Sequence, residues 1–429
     1  MKIKLENVGK IKEANIELNG ITIIAGENST GKSTVGKMLF CVYNSFFRIE
    51  EQIYNERKKT IHRVISNYAY ELFEQPITIL QIKNLSQRIV DKRASIINDN
   101  RILIKELENF CLPSETSFKE DTIRKYIEEL DTKILEYLKI EDNEIKKLIL
   151  KKRLQVEFGM KVGYLNTPNE ETNICLEIRD SEIKFKIKED KISIAQDISL
   201  MKEIIYIDDP FVLDELEIGL VYKVQNEFQH RSHLLMKIAQ SNSNSEFSVL
   251  DEFFINEKLQ KIFNTMTGIC DGELILDKER GSYIYKTDEL SGGLGISNLS
   301  TGMKNFLILR TLLYNGSIDE NGIIILDEPE IHLHPEWQLK FAEIIVQIQK
   351  EFGMNILLNT HSPYFLNAIQ VYSDKYGITD KCKYYLTEEQ NRRVNIIDVT
   401  KEIEKIYEKL ARPLQELENL EYNNETTRQ

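Results

Sequence analysis

The nine residues Gly26-Glu27-Asn28-Ser29-Thr30-Gly31-Lys32-Ser33-Thr34 constrain this chain more than any other stretch. They fit the pattern G-x-x-x-x-G-K-[ST] in full. An apolar run, Ile21-Thr22-Ile23-Ile24, precedes them, and an apolar-periodic segment (Val35, Met38, Leu39, Val42) follows, which is the strand–loop–helix setting the pattern requires. In such a loop, successive backbone N–H groups and the positive end of the following helix surround a phosphate, and glycines permit backbone geometries that a Cβ forbids. Lys32 is expected to reach the β- and γ-phosphates of a nucleotide and Ser33 to ligate Mg²⁺, with Gly26, Asn28, Ser29, Thr30, Gly31 and Thr34 completing the cradle. A glycine-rich turn that happens to carry Lys-Ser is the competing explanation, and the flanking elements speak against it.

A second apolar strand ends in acid. Ile323-Ile324-Ile325-Leu326-Asp327-Glu328-Pro329-Glu330 reads as a strand buried on both faces of a parallel sheet, with adjacent carboxylates at its end. Behind a phosphate loop these two have distinct expected tasks: Asp327 holds the Mg²⁺ shell, and Glu328 polarises the attacking water. Met354-Asn355-Ile356-Leu357-Leu358-Asn359-Thr360-His361-Ser362 repeats the design, with a polar cluster at the strand edge where α/β sheets bind ligands. His361 is expected there to sense or stabilise the γ-phosphate. Ser300, ahead of the apolar pattern Phe306, Leu307, Leu309, Leu312, Leu313, reads as an N-cap whose helix start offers free N–H groups to a phosphate. Taken alone, an ordinary capped helix explains Ser300 better. His332 and His334 have no third His or Cys beside them, which disfavours a metal site and assigns them to a loop.

The rest of the chain arranges itself around these motifs. Residues 1–24 alternate apolar and polar side chains (Ile3, Leu5, Ile16, Leu18, Ile21, Ile23) about an Asn7-Val8-Gly9 turn, predicting two or three short strands. From Lys37 to Phe158 there is no glycine, and Pro76 and Pro113 are the two prolines, so the stretch should be helical. Ile123, Ile127, Leu130, Ile134 and Tyr137 follow a 4-3-4-3 spacing along one helix seam, which resumes at Ile145 and Leu148. Residues 45–158 are therefore read as a helical, coiled-coil-like insertion, divided near Pro113, between 1–44 and 159–429. Beyond it, Ile174, Leu176, Ile178 and Ile183, Phe185, Ile187 alternate on either side of Arg179-Asp180-Ser181 and predict a hairpin or meander. Glu203–Ile207 predicts a strand that ends at Asp208-Asp209-Pro210. Residues 213–265 read as helical around a polar loop, Ser241–Ser245. Two short strands (Glu273–Leu276, Tyr283–Tyr285) and Gly292-Gly293-Leu294-Gly295 then lead to the Ser300 helix.

Composition bounds the remainder. A net charge of −13 argues against a uniformly basic nucleic-acid surface, and residues 45–160 hold 21 basic and 20 acidic residues, so the acidic surplus belongs to the body. Five scattered cysteines, odd in number and without C-x-x-C, fit reduced, buried thiols and a cytoplasmic protein. No apolar run approaches the ~18 residues of a membrane span, and the start lacks signal-peptide character.

Four motifs, in the order phosphate loop, the signature Leu299-Ser300-Thr301-Gly302, apolar strand with Asp327-Glu328 and strand with Thr360-His361, resemble the ABC-type ATPase heads of the SMC and RecF group, a mixed α/β sheet flanked by helices. Within that group Leu326-Asp327-Glu328-Pro329-Glu330-Ile331-His332-Leu333-His334-Pro335 resembles the heads of OLD-family nucleases and the related ATPase subunits of anti-phage systems such as Septu and PARIS. The resemblance covers residues 1–44, about 200–210, and 296–412. It implies ATP and Mg²⁺ as ligands, Lys32 and Ser33 as phosphate and metal contacts, Asp327 as the metal-side acid, Glu328 as general base and His361 as switch histidine. It further implies that Ser300 and Gly302 complete the site of a second head, hence a homodimer, or a higher assembly, with two ATPs sandwiched between chains. Two departures stand out. The glutamine that family heads carry between the phosphate loop and the signature is matched in position by Asp208 or Asp209, and Thr301 stands where transporters have glycine. Only 68 residues follow His361, too few for the TOPRIM nuclease domain of OLD proteins. Val394–Asp398 and the amphipathic Ile403, Ile406, Tyr407, Leu410 segment are instead expected to form a closing strand and a packing helix.

Two functional readings follow. The first is an ATP-driven dimeric switch of a bacterial defence system that controls a separate nuclease or toxin. The second is a RecF-like clamp on DNA that uses Lys146, Lys147, Lys151, Lys152 and Arg153, for which a steep salt dependence of DNA binding would be the mark. A transporter motor fits poorly, because long insertions separate Lys32 from Gly302 by 270 positions.

Overall fold

In the computed structural model, residues 1–72, 78–111, 120–159, 162–163, 170–217, 228–240, 249–277, 281–288 and 293–426 are described. Pro76, Pro113, the Ser241–Ser245 segment and Gly292 lie outside them. The strands are β1 (Lys2–Val8), β2 (Ile11–Glu17), β3 (Ile21–Ala25), β4 (Thr172–Ile178), β5 (Ser181–Lys188), β6 (Lys191–Gln196), β7 (Ile204–Ile207), β8 (Glu273–Asp277), β9 (Ser282–Lys286), β10 (Leu294–Gly295), β11 (Ile323–Asp327), β12 (Asn355–Thr360), β13 (Cys382–Gln390) and β14 (Arg393–Asp398).

Eleven of them form one mixed sheet in the order β6-β5-β4-β1-β2-β14-β13-β3-β12-β11-β7, and β10-β9-β8 form a small second sheet. Its centre is parallel: β13, β3, β12, β11 and β7 run the same way. These strands are the near-continuous apolar runs of the sequence, and all residues of β3, β7 and β11 are buried, as strands covered on both faces must be. The β6-β5-β4-β1-β2 flank is antiparallel, and there β4 and β5 alternate buried residues with half-buried or exposed ones because one face meets water. The expected hairpin or meander is a meander of three strands, turning at Arg179 with φ +53° and at Glu189-Asp190.

Helices Thr301–Tyr314 and Pro335–Phe352 pack on this sheet through Phe306 and Phe341, whose ring centroids lie 5.2 Å apart edge to face. Helix Pro335–Phe352 shows how locally its ends are encoded. His334 is its N-cap, Pro335 its first residue, and Gly353 closes it in the left-handed conformation. The expected closing strand is β14, seated between β13 and β2, and helix Glu404–Thr426 follows it. All five cysteines are free. Cys41, Cys111, Cys270 and Cys382 are buried, whereas Cys175 is half-buried because it lies on the water-facing side of β4.

The chain divides into two compact units, one of residues 1–44, 150–198 and 202–429, the other of residues 45–149 and 199–201. The second is a helical bundle in which Ile61, Ile65, Leu85, Ile89, Leu103 and Leu107 pack with the seam of helix Glu120–Lys139. That seam departs from the spacing read from sequence. Tyr137 packs half-buried against that core beside the fully buried Leu138, but Leu148 is 58% exposed while Ile149 is buried. The helix ends at Lys139 and a new one starts at Asp142, so the 3.6-residue phase restarts there. Arg57, itself buried, occupies the break and donates to the carbonyls of Tyr137 and Ile140.

Candidate active site

The parallel register brings the motifs to one edge. Ala25 pairs with Thr360, Asn359 with Asp327 and Leu326 with Ile207, so the residues that leave β3, β12, β11 and β7 are Gly26, His361, Glu328 and Asp208. Four strand ends far apart in sequence, three of them carrying motifs, thus meet at one edge of the sheet.

Lys32 opens helix Lys32–Phe46 and is 4% exposed. Its ammonium donates to the carbonyls of Gly26 (3.0 Å) and Glu27 (2.9 Å) and lies 3.3 Å from Glu328 Oε1. His361 Nδ1 approaches the same Glu328 oxygen to 3.3 Å, within ion-pair reach but without hydrogen-bond geometry. One carboxylate therefore stands between the phosphate-loop lysine and the histidine. Asn28 and Ser29 are exposed at the loop tip, Thr30 is buried, and Gly31, Ser33 and Thr34 are half-buried.

Asp327 is buried, and both its oxygens are held. Oδ2 accepts from the Tyr206 hydroxyl (2.6 Å) and Oδ1 from Asn359 Nδ2 (2.9 Å). Burial pushes the Tyr206 phenol well above its ordinary pKa, so it stays a donor to Asp327. A Ser33 hydroxyl and an aspartate carboxylate are hard oxygen donors, the set that suits Mg²⁺. Glu330 is 2% exposed; Oε1 accepts from Thr360 Oγ1 (2.5 Å), the His361 amide lies 3.4 Å away, and burial raises its pKa.

Ser300 caps helix Thr301–Tyr314, accepting from the Met303 amide at 3.3 Å. Gly302 lies against Trp337 and the His332 carbonyl, where a Cβ would come within 3.0 Å of the indole. Among the described residues no hydrogen bond or ion pair joins Ser300 or Gly302 to Gly26–Thr34. The structure thus brings together Lys32, Asp327, Glu328 and His361 and leaves the signature pair outside that cluster. His334 serves as an N-cap, and the His332 ring meets the Phe211 ring edge to face.

Asp208 and Asp209 have separate partners. Asp208 Oδ2 is 2.8 Å from His230 Nε2, whose Nδ1 is 2.7 Å from Glu157. Burial opposes charge on His230, but the two carboxylates outweigh it and lift its pKa to about 9. Asp209 caps the turn at Phe211 and pairs with Arg231 at 2.6 Å. Arg153, a residue of the DNA-clamp reading, is buried: its guanidinium donates to the Phe228 carbonyl and stacks over Phe40 and Phe228. It is part of the core, not of a basic surface. Sequence reasoning misses Tyr206, Asn359 and His230 as supports of the site, although Asn359 lies inside the Met354–Ser362 motif and Tyr206 inside the predicted strand Glu203–Ile207.

A phosphate loop after the central parallel strand, paired carboxylates one strand beyond the Thr-His strand and a capped signature helix define an ABC-type P-loop ATPase. The chain belongs to the family described as "AAA domain, putative AbiEii toxin, Type IV TA system", whose model matches residues 21–367. It is similar to the "Retron Vc95 probable ATPase" of Vibrio cholerae serotype O1 biovar El Tor, 25% identical over 400 residues, 86% of this chain and 72% of that protein. The "Retron Ec83 probable ATPase" of Escherichia coli is 30% identical over 146 residues, 31% of this chain and only a quarter (25%) of that protein. The "Septu protein PtuA" of Bacillus thuringiensis is 38% identical over 53 residues, 12% of this chain and 13% of that protein. Among solved structures, the SMC head domain from Thermotoga maritima aligns with a TM-score of 0.39 at 10% identity, covering 93% of this chain and 98% of that one. The ADP conformation of an ATP-binding cassette of an ABC transporter aligns with a TM-score of 0.34 at 12% identity, covering 96% of each chain. No described helix is long and apolar enough to cross a membrane.

Proposed function

We propose that this protein is an ATP-driven dimeric switch that controls a separate effector, a nuclease or toxin, in a bacterial anti-phage system. The observation that carries the chemistry is the placement of Lys32 and His361 each 3.3 Å from one Glu328 oxygen, beside a doubly held Asp327. In this reading Lys32 and the loop amides Gly26–Thr34 bind the phosphates of ATP, and Ser33 and Asp327 hold Mg²⁺. The metal, when bound, neutralises charge on the phosphate oxygens. Glu328 accepts a proton from the attacking water, while His361 orients Glu328 and meets the γ-phosphate. Ser300 and Gly302, which lie outside this cluster, serve the site of a second copy. The names of the Vibrio and Escherichia relatives, both probable retron ATPases, and of the Septu relative support ATP hydrolysis in a defence context.

The test is Glu328→Gln. It should bind ATP, hydrolyse it at least about 100-fold more slowly than wild type, and accumulate as a dimer with ATP in light scattering, because the base is lost and the phosphate ligands remain. Lys32→Ala should lose nucleotide binding. Wild-type turnover in Glu328→Gln, or a monomer at saturating ATP, would sink the assignment. Co-purification with the product of the adjacent reading frame tests the effector.

A further inference from the structure

We propose that Thr387, far from every motif in the sequence, is a positioning residue of the nucleotide site whose hydroxyl sets the shape of the phosphate loop. The inference rests on the nucleotide reading given above. Strand β13 lies parallel to β3 with Leu386 opposite Ala25, which sets Thr387 beside Gly26. The approach is so close that a Cβ at Gly26 would overlap Thr387 Oγ1, so the loop's first glycine is required by its neighbour as well as by its φ of +153°.

The two hydroxyls concerned are sealed from water, with Thr387 0% and Thr30 1% exposed. Thr387 Oγ1 donates to Thr30 Oγ1 at 2.9 Å, and Thr30 Oγ1 donates to the Glu27 carbonyl at 2.8 Å. That carbonyl also accepts from Lys32 Nζ at 2.9 Å. A chain of bonds therefore runs from β13 into the loop and ends on the atom that anchors the phosphate lysine. On the other side, Lys409 of helix Glu404–Thr426 donates to the Thr387 carbonyl at 2.6 Å.

Valine would suit a buried strand position at least as well as threonine, and an unneeded buried hydroxyl is unfavourable. The hydroxyl's partner is the loop, so its use lies there. Phosphate binding depends on loop amides converging on one point, and a loop released from Thr387 must be reordered by the ligand.

The experiment is calorimetric titration of Mg·ATP and of ADP into the full chain, comparing wild type with Thr387→Val, Thr387→Ser, Thr30→Val and the Thr30→Val/Thr387→Val double variant, with Lys32→Ala as the non-binding control. Thr387→Val should raise Kd about tenfold, equivalent to ~1.4 kcal/mol, while Thr387→Ser stays within about twofold of wild type. The double variant should bind no more weakly than Thr30→Val alone, since both remove one linkage. Wild-type affinity in Thr387→Val, or equal weakening in Thr387→Ser, overturns the proposal. If Thr387→Val does not fold, wild-type affinity in Thr30→Val overturns it independently. Absence of ATP binding by the wild-type chain would instead refute the nucleotide reading itself.

Discussion

At the residue scale the site stores strain at Glu328. Glu328 adopts φ +50°, the left-handed region that L-residues other than Asn, Asp and His seldom enter, and Pro329 after it restricts its backbone further. Its amide donates to the Asn359 carbonyl at 2.9 Å, which fixes the turn, and its carboxylate then faces Lys32 and His361. Such a conformation costs on the order of 1 kcal/mol and persists where the surroundings over-determine it. At an ordinary helix or strand position alanine is more stabilising than glycine; here the order should reverse. Glu328→Gly is expected to be about 1 kcal/mol more stable than Glu328→Ala in urea denaturation, because both lack the carboxylate and only glycine relieves the backbone. An alanine variant as stable as the glycine one would show that Glu328 is unstrained. Nothing in Leu-Asp-Glu-Pro announces this φ.

At the scale of elements, the sequence was most readable where periodicity is strong. The buried runs Ile21–Ile24 and Ile323–Leu326 and the alternation of β4 and β5 follow directly from which faces meet water. The seam reading failed at Leu148 because a helix break resets the phase, and Lys139–Asp142 contains no glycine or proline to mark one. Site residues within contiguous motifs could be read, since loop chemistry is local. Tyr206, His230 and Glu157 could not, because strand register and distant packing bring them to the site. His230 illustrates the consequence, for it ties the end of β7 (Asp208) to helix Asp142–Phe158 (Glu157) from the start of helix His230–Ile238. Its pKa is raised from 6.5 to about 9, so the clamp's contribution is full below pH 6.5 and is lost as pH rises through 9. The contribution is at most about 3 kcal/mol. Denaturation midpoints should therefore fall between pH 6.5 and 9 in wild type and stay nearly flat in His230→Gln. An unchanged pH slope in the variant would refute the clamp.

At the scale of the whole molecule, the question is whether one chain suffices. Lys32, Asp327, Glu328 and His361 converge in a single copy, whereas Ser300 caps its own helix and Gly302 packs on Trp337. If Ser300 acts on the nucleotide of a second copy, lesions in the two halves must complement. Lys32→Ala removes a chain's own phosphate contact, and Ser300→Arg blocks what it offers a partner, so each homodimer has two defective sites. In a mixed dimer one site is doubly damaged, while the other combines an intact Lys32 with an intact Ser300. Equal mixing gives half heterodimers with one working site in two, so turnover should recover to roughly a quarter of wild type from a baseline near zero. A site completed within one chain predicts no recovery at any ratio, because every chain then carries its own defect. Recovery that rises with total protein concentration would further separate dimer formation from residual single-chain activity.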